Sequence, residues 1–312
     1  MNETPARADV VVVTHNSRDR IRACVEPLSR SPELSVIVVD NDSRDGTLEV
    51  LADLPIRAVQ RRDNLGFSFA CNLGWRDGGS PTVVFLNPDT IAEPATILRL
   101  AGLLEEDRTV GAVGPLLHDE HGGIHMSQRR FPTAAISFAA AFFLPRLWTA
   151  TPWSVDVGDM DAYRRSGSPD WVSGACVALR RDVLAQIGGF DERFFMYYED
   201  MDLCRRVRNR GLDVRFEPSA SVTHIGAASA PRARLVPVMT ESRLLYADKH
   251  RGPRGLFTER AATIVHGLTH ALVTTQGPEA RRGYVRSLAI ACESVASLGR
   301  DAAGQSRPSM QA

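Results

Sequence analysis

The sequence lacks the features of a disulfide-bonded, zinc-binding or nucleic-acid-binding protein. Its five cysteines are scattered, odd in number and free of any Cys-x-x-Cys pair, a pattern that gives neither a disulfide framework nor a structural zinc site. A domain that binds a polyanion normally carries a basic excess, whereas 37 basic residues here balance 37 acidic ones. These absences favour a protein of the reducing cytoplasm that binds no nucleic acid.

Long hydrophobic runs are also missing. The N-terminus has no basic region followed by a long apolar run, so no signal peptide is expected. The longest apolar stretch, residues 134–144, is well short of the ~20 residues that a transmembrane helix needs. Because Arg129, Arg130 and Arg146 flank it, this stretch has two equal interpretations. It is either a helix in the membrane interface that brings the protein to a lipid-linked substrate, or a buried loop or core helix.

The chain does contain a regular alternation of short strands and helices. Apolar runs at residues 10–13, 36–39, 56–59 and 82–86 are typical of strands buried on both faces. Helical segments at residues 18–28 and 48–53, and one that ends at residue 76, separate these strands. Together they predict an α/β fold of Rossmann-like character, with a mostly parallel sheet flanked by helices.

The second half of the chain continues this pattern and then changes. Strands are predicted at residues 111–114, 171–180, 214–217 and 220–224, and helices at 181–187 and 201–210. After Gly226 only helical patterns remain, followed by a small, polar tail from residue 300. We therefore predict an α/β domain at residues 1–226, with halves at about 8–115 and 116–226, and a helical C-terminal extension at 227–312 with a flexible tail.

Polar side chains follow the predicted strands at one edge of the sheet, where ligands bind in such folds. They are Thr14 and Asn16 after the first strand, Asp40 and Asp42 after the second, Asn64 after the third, and Asn87 and Asp89 after the fourth. Because these strand ends converge, we expect a nucleotide to bind there.

Two acidic segments have both a chemical and an ordinary structural interpretation. Asp89 can reach a divalent cation that bridges two phosphates, although Asn-Pro-Asp is also good turn chemistry. Glu199, Asp200 and Asp202 begin a helix after an aromatic run. Acidic residues at a helix N-terminus are stabilised by ~0.3–1 kcal/mol, but a partly dry aromatic pocket also keeps a carboxylate basic enough to accept a proton.

The histidines are structural by default. His224 follows a strand-like stretch, and a lone histidine is more often structural than a metal ligand. The same default applies to His118, His121, His125, His266 and His270. Only a wider pattern in the sequence changes the interpretation of His224.

That pattern is the order Asp40, Asn87-Pro88-Asp89, Glu199-Asp200-x-Asp202 and His224, in which the sequence resembles the family-two inverting glycosyltransferases of the GT-A fold. The resemblance runs over about residues 10–226. Segments at residues 12–16, 38–47 and 64–74 look like the family's three donor-site segments. Segments at residues 173–176 and 188–203 are similar to its acceptor and base segments.

The resemblance implies a role for each matching residue. Thr14 and Asp40 would hold the nucleotide base and ribose of the donor. Asp200 would be the general base, with Glu199 and Asp202 as neighbours that orient or tune it. Asn64 and Asn72 would shape the loop beside the nucleotide. The other donor-site residues would be Asn16, Asp42 and Asn87.

The resemblance also implies a divalent cation, Mn²⁺ or Mg²⁺, on the donor diphosphate. Asp89 and His224 would be its protein ligands, and an imidazole suits Mn²⁺ better than Mg²⁺. The family usually has Asp-x-Asp after the fourth strand, whereas the first position here is Asn87. Because an amide brings no charge, we expect a modest metal affinity.

Segments at residues 114–117, 122–123, 127–132 and 171–175 are similar to those of bacterial rhamnosyltransferases that act on polyprenyl-diphosphate-linked sugars. This implies dTDP-L-rhamnose as donor and a lipid-linked N-acetylglucosamine or growing cell-wall glycan as acceptor. It also implies peripheral contact with the inner face of the plasma membrane, and a homodimer is compatible with it.

Two alternatives stay open, and two are excluded. A family-two transferase that uses a UDP-hexose on another polysaccharide or small-molecule acceptor has the same motifs. A noncatalytic glycan-binding module would not require Asp89, Asp200 and His224 together. A dinucleotide-dependent dehydrogenase and a sugar-nucleotide pyrophosphorylase both need a glycine-rich loop after the first strand, and residues 14–19 contain no glycine.

Overall fold

A nine-stranded mixed sheet lies at the centre of the computed structural model, which describes residues 5–147, 152–226, 232–275 and 277–293. Its strands are β1 (Ala8–Thr14), β2 (Leu34–Asn41), β3 (Arg57–Arg61), β4 (Thr82–Leu86), β5 (Thr90–Ile91), β6 (Val110–His118), β7 (Ile124–His125), β10 (Cys176–Arg180) and β11 (Asp213–His224). Two further strands, β8 (Gln128–Arg129) and β9 (Trp171–Val172), pair only with each other. The predicted tail from residue 300 lies outside the described residues.

The sheet order is β3-β2-β1-β4-β10-β6-β11-β5, with β7 paired to β6. The strands β3, β2, β1 and β4 are parallel, as the βαβ alternation predicts. β10 is antiparallel to both of its neighbours, β4 and β6, so the second half of the sheet is mixed. The predicted α/β class is confirmed, and the parallel half carries the polar strand ends.

Helices cover both faces of the sheet. They are α1 (Arg18–Ser29), α2 (Phe67–Asp77), α3 (Pro94–Glu106), α4 (Ala134–Ala141), α5 (Leu144–Leu147), α6 (Arg181–Gln186), α7 (Glu199–Arg208), α8 (Arg232–Val273) and α9 (Gly277–Cys292). Successive side chains of a strand point to opposite faces, so Val10 packs in one core with Ile21 of α1. Val11 packs in the other core with Cys71 of α2 and Leu203 of α7.

Three predicted elements differ from the observed ones. The predicted helix at residues 48–53 is a single 3-10 turn, Glu49–Leu51. The predicted strand at 171–180 is interrupted by residues 173–175, so it becomes β9 and β10. The two predicted strands at 214–217 and 220–224 are one strand, β11, whose register against β6 is irregular between Glu217 and Ser221. Pro218 explains this irregularity, because proline has no N–H to donate to a neighbouring strand.

Most of the apolar stretch at residues 134–144 forms α4, which packs against α8, and Leu144 begins α5. Ser137 Oγ donates to the Glu259 carboxylate at 2.8 Å, and Thr269 Oγ1 donates to the carbonyl of Ala141 at 2.8 Å. This is the contact expected of a packed helix, and membrane contact by this segment stays a prediction. The side chain of Arg146, predicted to flank it, lies outside the described residues. In the part of the chain that the structure describes, no helix has both the length and the apolar character needed to cross a membrane.

The predicted division near Gly226 stays a prediction, but the first part of α8 packs closely on the sheet domain. Leu245 and Tyr246 are buried in the same core as Met201 of α7. Residue Gly252, with φ 65° and ψ −170°, breaks α8 into two helical segments. The extension therefore contributes to the core of the α/β domain.

The close packing of α2 on β1 makes Gly74 a test of this fold. A Cβ at Gly74 would overlap Cγ1 of the buried Val11 and stand 3.1 Å from Cγ2 of Val39. We expect Gly74→Ala to lower the free energy of unfolding by about 1–3 kcal/mol, the usual effect of overpacking a core, as measured by urea denaturation. Gly79 is the matched control, because a Cβ there would meet nothing within 4 Å. Gly79→Ala should change stability by less than about 1 kcal/mol, and equal effects of the two changes would contradict this packing.

Candidate active site

The loops after β1 and β2 are joined by hydrogen bonds at the predicted donor edge. The parallel register pairs Thr14 with Asp40, so the two strand ends lie side by side. The Asn16 N–H donates to Ser43 Oγ at 2.9 Å, and the Arg44 N–H donates to Asn16 Oδ1 at 2.8 Å. Asn16 and Asp42 have left-handed backbones, with φ of 52° and 69°, a conformation that asparagine and aspartate tolerate better than most residues. Tight turns thus hold both loops at this edge.

Three buried groups at this edge are suited to meet a ligand. Thr14 Oγ1 and Asn41 Oδ1 have no hydrogen-bond partner among the described residues. Buried polar atoms are nearly always paired, so these two atoms are free to bind a polar molecule. Asp40 accepts a hydrogen bond of 3.3 Å from the Ser43 N–H, and burial raises the pKa of this carboxyl above its ordinary value. Asp40, Ser43 and Gln60 border a cleft of about 120 Å³.

The two predicted loop-shaping asparagines behave differently. Asn64 Oδ1 accepts hydrogen bonds from Asn41 Nδ2 at 2.8 Å and from the Gly66 N–H at 3.1 Å, so it shapes the loop after β3. Asn72 is buried, and its Nδ2 donates to the carbonyl of Phe190 at 2.9 Å while its Oδ1 accepts from the Phe190 N–H at 2.9 Å. The Asn72 amide therefore joins α2 to the second half of the chain. Because its nitrogen and its oxygen are both hydrogen-bonded to Phe190, the amide is not free to bind a donor.

Asp89 and His224 are brought together by strand pairing. Thr90 of β5 pairs with His224 of β11, and the Ile225 N–H donates to the carbonyl of Asp89 at 3.0 Å. Asn87 and Thr90 close a turn, with a hydrogen bond of 3.1 Å from the Thr90 N–H to the carbonyl of Asn87. Asn-Pro-Asp is therefore a turn, as its structural interpretation predicts, and this turn also places Asp89 beside His224. Cation binding by Asp89 stays a prediction.

The Asp89–His224 pair fits a divalent cation. Nε2 of His224 lies 3.3 Å from Oδ1 of Asp89, but the two atoms are not aligned as a hydrogen bond, and Oδ1 has no hydrogen-bond partner in the described part of the chain. Burial would raise the pKa of Asp89, but the contact with His224 outweighs it, so the pKa lies below the ordinary value and the carboxylate is ionised. Carboxylate oxygen and imidazole nitrogen are ligands that Mn²⁺ accepts. Within the described ranges, no group of three or more His, Cys, Asp or Glu side chains is arranged to share one metal ion, so two protein ligands leave positions for phosphate oxygens.

Asp200 is held by backbone donors at the start of α7. Its Oδ2 accepts a hydrogen bond of 2.9 Å from the Gly174 N–H, and its Oδ1 accepts one of 2.8 Å from the Met201 N–H. Burial raises the pKa of Asp200, and these two N–H groups and the charge of Arg129 oppose that rise. The raised pKa makes this carboxylate a stronger base than that of an ordinary aspartate, and the residue as a whole is partly exposed.

The two acidic neighbours of Asp200 have opposite environments. Glu199 is buried, and its Oε2 has no hydrogen-bond partner among the residues described. Burial and the nearby Asp200 raise the pKa of Glu199 well above its ordinary value. Asp202 is fully buried and contacts Arg206 at 2.8 Å, Lys249 at 2.6 Å and His250 at 2.7 Å. Burial would raise the pKa of Asp202, but these partners outweigh it and the pKa is lowered.

Helix α8 supports the loop that precedes Asp200. Tyr197 and Tyr198 both have left-handed backbones, with φ of 68° and 66°, which is strained for a bulky residue. Ser242 Oγ donates to the carbonyl of Met196 at 2.8 Å, next to these tyrosines. Since Lys249 also pairs with Asp202, α8 holds both the strained loop and the helix that follows it.

Several residues of this site carry no distinctive signal in the sequence. Asn41 joins the β2 and β3 ends, and Gly174 holds Asp200. Arg129 Nη1 lies 2.8 Å from Asp156 Oδ1, and its guanidinium lies over the Trp171 ring at 5.2 Å. Asn41 lies in a predicted donor-site segment and Gly174 in a predicted acceptor segment. Their place in these segments is the feature of the sequence from which they could have been identified as site residues.

The chain is similar to known glycosyltransferases. The model of glycosyl transferase family 2 matches residues 9–171. The N-acetylglucosaminyl-diphospho-decaprenol L-rhamnosyltransferase of Mycobacterium tuberculosis (strain ATCC 25618 / H37Rv) is 33% identical over 267 residues, which cover 78% of this chain and 85% of that protein. Rhamnosyltransferase WbbL of Escherichia coli (strain K12) is 26% identical over 226 residues, with 69% and 82% covered.

A solved structure supports the fold. Mannosyltransferase PcManGT from Pyrobaculum calidifontis, in complex with GDP-Man and Mn²⁺, has a TM-score of 0.53 and 17% identity, with 92% of this chain and 87% of that chain covered. At this identity the likeness concerns the fold alone, and the predicted GT-A fold class is confirmed.

The opposite environments of Glu199 and Asp202 predict opposite effects of pH on two variants. Because the folded-state pKa of Glu199 is raised, its stabilising protonation is complete below the ordinary value of 4.5 and is lost as pH rises through the folded-state value. Glutamine does not ionise, so the free energy of unfolding of Glu199→Gln relative to wild type should rise as the pH increases above the ordinary value of 4.5, as measured by urea denaturation.

Asp202→Asn is the matched control, because its lowered pKa gives stability that is present above the ordinary value of 3.8 and lost as pH falls through the folded-state value. This variant should be destabilised at neutral pH by about 3–5 kcal/mol, since it breaks a buried ion pair. A pH-independent difference between Glu199→Gln and wild type would contradict the burial of an ionisable Glu199.

Proposed function

Because this chain belongs to glycosyl transferase family 2, it is a glycosyltransferase, and we propose that it transfers L-rhamnose from dTDP-L-rhamnose to a polyprenyl-diphosphate-linked sugar, with inversion at the anomeric carbon. Two relatives support the donor, since both are named rhamnosyltransferases. The name of the mycobacterial relative, which refers to N-acetylglucosaminyl-diphospho-decaprenol, supports the acceptor. A lipid-linked acceptor requires the enzyme to work at a membrane surface, which we propose is the inner face of the plasma membrane.

One observation carries the assignment of the reacting residues. The Gly174 N–H donates to Asp200, and the carbonyl of the next residue, Ala175, accepts a hydrogen bond of 3.0 Å from the Asn87 N–H. Residues 173–175 therefore contact the candidate base on one side and the turn that carries Asp89 on the other. This supports a single site in which an acceptor hydroxyl meets the carbon attached to a bound diphosphate.

Asp89 and His224 are the residues that would hold a divalent cation, and Mn²⁺ is the ion we favour because one ligand is an imidazole. When bound, such a cation stabilises the negative charge that develops on the leaving diphosphate. Thr14, Asp40 and Asn41 would bind the nucleoside through the unpaired or partly paired groups described above. Thr14, Asn41 and Asp89 each have a buried oxygen without a hydrogen-bond partner among the described residues, which supports these assignments.

The proposed reaction uses Asp200 as the general base. An oxygen of its carboxylate accepts the proton of the acceptor hydroxyl, while that hydroxyl oxygen forms a bond to the anomeric carbon from the face opposite the diphosphate. The bond from the anomeric carbon to the diphosphate oxygen breaks, and its electron pair leaves with the diphosphate. The N–H groups of Gly174 and Met201 orient the carboxylate and favour its ionised form.

Removal of the base should separate catalysis from donor binding. We expect Asp200→Asn to lower kcat by about 10²–10⁴-fold, the usual contribution of general-base catalysis, while the Kd for the nucleotide in the presence of Mn²⁺ stays near that of wild type. Steady-state kinetics and isothermal titration calorimetry measure the two quantities. Asp89→Ala is the contrasting variant, because it should remove the metal dependence of nucleotide binding. Undiminished transfer by Asp200→Asn would refute the role of Asp200.

A donor and acceptor screen tests the function itself. Purified protein is offered dTDP-L-rhamnose or several UDP-sugars with Mn²⁺, Mg²⁺ or a chelator, and either a polyprenyl-diphosphate-linked N-acetylglucosamine or free N-acetylglucosamine as acceptor. We expect metal-dependent transfer of rhamnose to the lipid-linked acceptor. Transfer from a UDP-hexose would favour the alternative transferase, and neither transfer nor hydrolysis with any donor would favour a noncatalytic glycan-binding module.

A further inference from the structure

A second histidine lies behind the proposed cation ligand. His125 belongs to β7, which is antiparallel to β6 with Leu117 opposite His125. Its Nδ1 lies 3.3 Å from Nδ1 of His224, and the two rings are stacked with centroids 5.2 Å apart and planes 24° apart. Because β6 also pairs with β11, the sheet fixes the backbones of both histidines.

We propose that His125 is a positioning residue for the cation site, whose Nδ1 accepts a hydrogen bond from Nδ1–H of His224 and so leaves Nε2 of His224 free to bind the cation. The inference deepens the proposed function and rests on it, because it takes Asp89 and His224 as the cation ligands. It changes the default interpretation of His125 as an ordinary structural histidine.

The geometry of the His224 ring leads to this assignment. Nε2 of His224 faces Oδ1 of Asp89 at 3.3 Å, and its Nδ1 faces His125. A neutral imidazole has one N–H donor and one acceptor nitrogen, so a ring that binds a metal through Nε2 carries its proton on Nδ1. That proton needs an acceptor, and Nδ1 of His125 is within reach when His125 carries its own proton on Nε2.

Such a partner is a regular part of metal sites. Metal-binding histidines almost always donate their other ring N–H to an acceptor, which fixes the tautomer and the ring orientation and makes the ligand more basic. A carboxylate or a backbone carbonyl is the usual acceptor, whereas the acceptor here is a second imidazole. Two ring nitrogens that face each other share one proton, so one ring is the donor and the other the acceptor. A cation on Nε2 of His224 would make His224 the donor and His125 the acceptor.

The position of His125 argues against a direct bond to the cation. It contacts the edge of the His224 ring that faces away from Asp89. The described residues contain no group of three His, Cys, Asp or Glu side chains that could share an ion, so His125 is not arranged as a third ligand. A supporting role also suits a site in which the usual first aspartate is Asn87 and only one carboxylate is present, because a more basic imidazole strengthens the remaining ligand.

Two variants of His125 separate this role from simple packing. Asn has its Oδ1 on Cγ, where histidine has Nδ1, so His125→Asn keeps an acceptor at the required place, whereas His125→Phe keeps the ring and removes the acceptor. The probe is Mn²⁺ titrated into protein saturated with dTDP, with free Mn²⁺ measured by electron paramagnetic resonance. We expect His125→Phe to raise the Kd for Mn²⁺ by about 10–100-fold and His125→Asn to stay within about threefold of wild type.

Several outcomes would overturn the inference. A His125→Phe variant with wild-type Mn²⁺ affinity, or a His125→Asn variant as weak as His125→Phe, would show that no acceptor is needed. Electron spin echo envelope modulation of the bound Mn²⁺ should detect one coordinated imidazole nitrogen in wild type, and two would make His125 a ligand. Circular dichroism melts of both variants check that each is folded at the temperature used.

The same titration distinguishes failure of the inference from failure of the proposed function. His224→Ala should abolish tight Mn²⁺ binding if His224 is a ligand. If wild type binds Mn²⁺ and His224→Ala does not, but His125→Phe behaves as wild type, only the role of His125 is wrong. If wild type with dTDP fails to bind Mn²⁺, the cation site itself is wrong and the inference fails with it.

Discussion

Two backbone hydrogen bonds from adjacent residues fix the candidate base and the turn that carries Asp89 relative to each other. The N–H of Gly174 binds Asp200, and the carbonyl of Ala175 binds the Asn87 turn. Because the two hydrogen-bonding groups belong to adjacent residues, whose Cα atoms are about 3.8 Å apart, the base and the turn are held close together. A Cβ at Gly174 would stand 3.0 Å from Cβ of Asp200, so the segment between β9 and β10 packs closely against the candidate base.

The C-terminal extension has a mechanical role that follows from strain. Two consecutive tyrosines with positive φ precede the acidic helix α7. Each such backbone conformation costs about 1–3 kcal/mol and persists only where the surrounding structure enforces it. Helix α8 supplies that enforcement through Ser242, Lys249 and His250. Glu259, in the second segment of α8, forms ion pairs with Arg243 and Arg251. The extension therefore belongs to the machinery that positions Asp200, even though it carries none of the predicted site residues.

The sequence predicted the elements that have a local hydrophobic pattern. It did not predict the contacts between residues that are far apart in the chain. Runs of valine indicated β1 and β2 because both faces of a central parallel strand are apolar. In contrast, β5 is two residues long and has no pattern, so the pairing that joins Thr90 to His224 could come only from the family resemblance. Asn72 resembled a donor-site asparagine, but both its Nδ2 and its Oδ1 form hydrogen bonds with the backbone of Phe190. The sequence alone does not distinguish a polar loop residue that binds a ligand from one that forms hydrogen bonds with another loop.

Charge at the proposed cation site implies that the cation and the nucleotide bind together. With Asn87 in place of the usual aspartate, one carboxylate and one neutral imidazole bring a single negative charge against the two positive charges of Mn²⁺ or Mg²⁺. Since a divalent cation is stable in a partly buried site only when its charge is largely balanced, the missing charge has to come from the donor diphosphate. A bound cation would be held by the nucleotide as well as by the protein, and its interaction with the protein would depend on how well Asp89 and His224 are held in place. The strand pairing of β5 with β11 places Asp89 and His224 side by side, and the ring of His125 contacts that of His224.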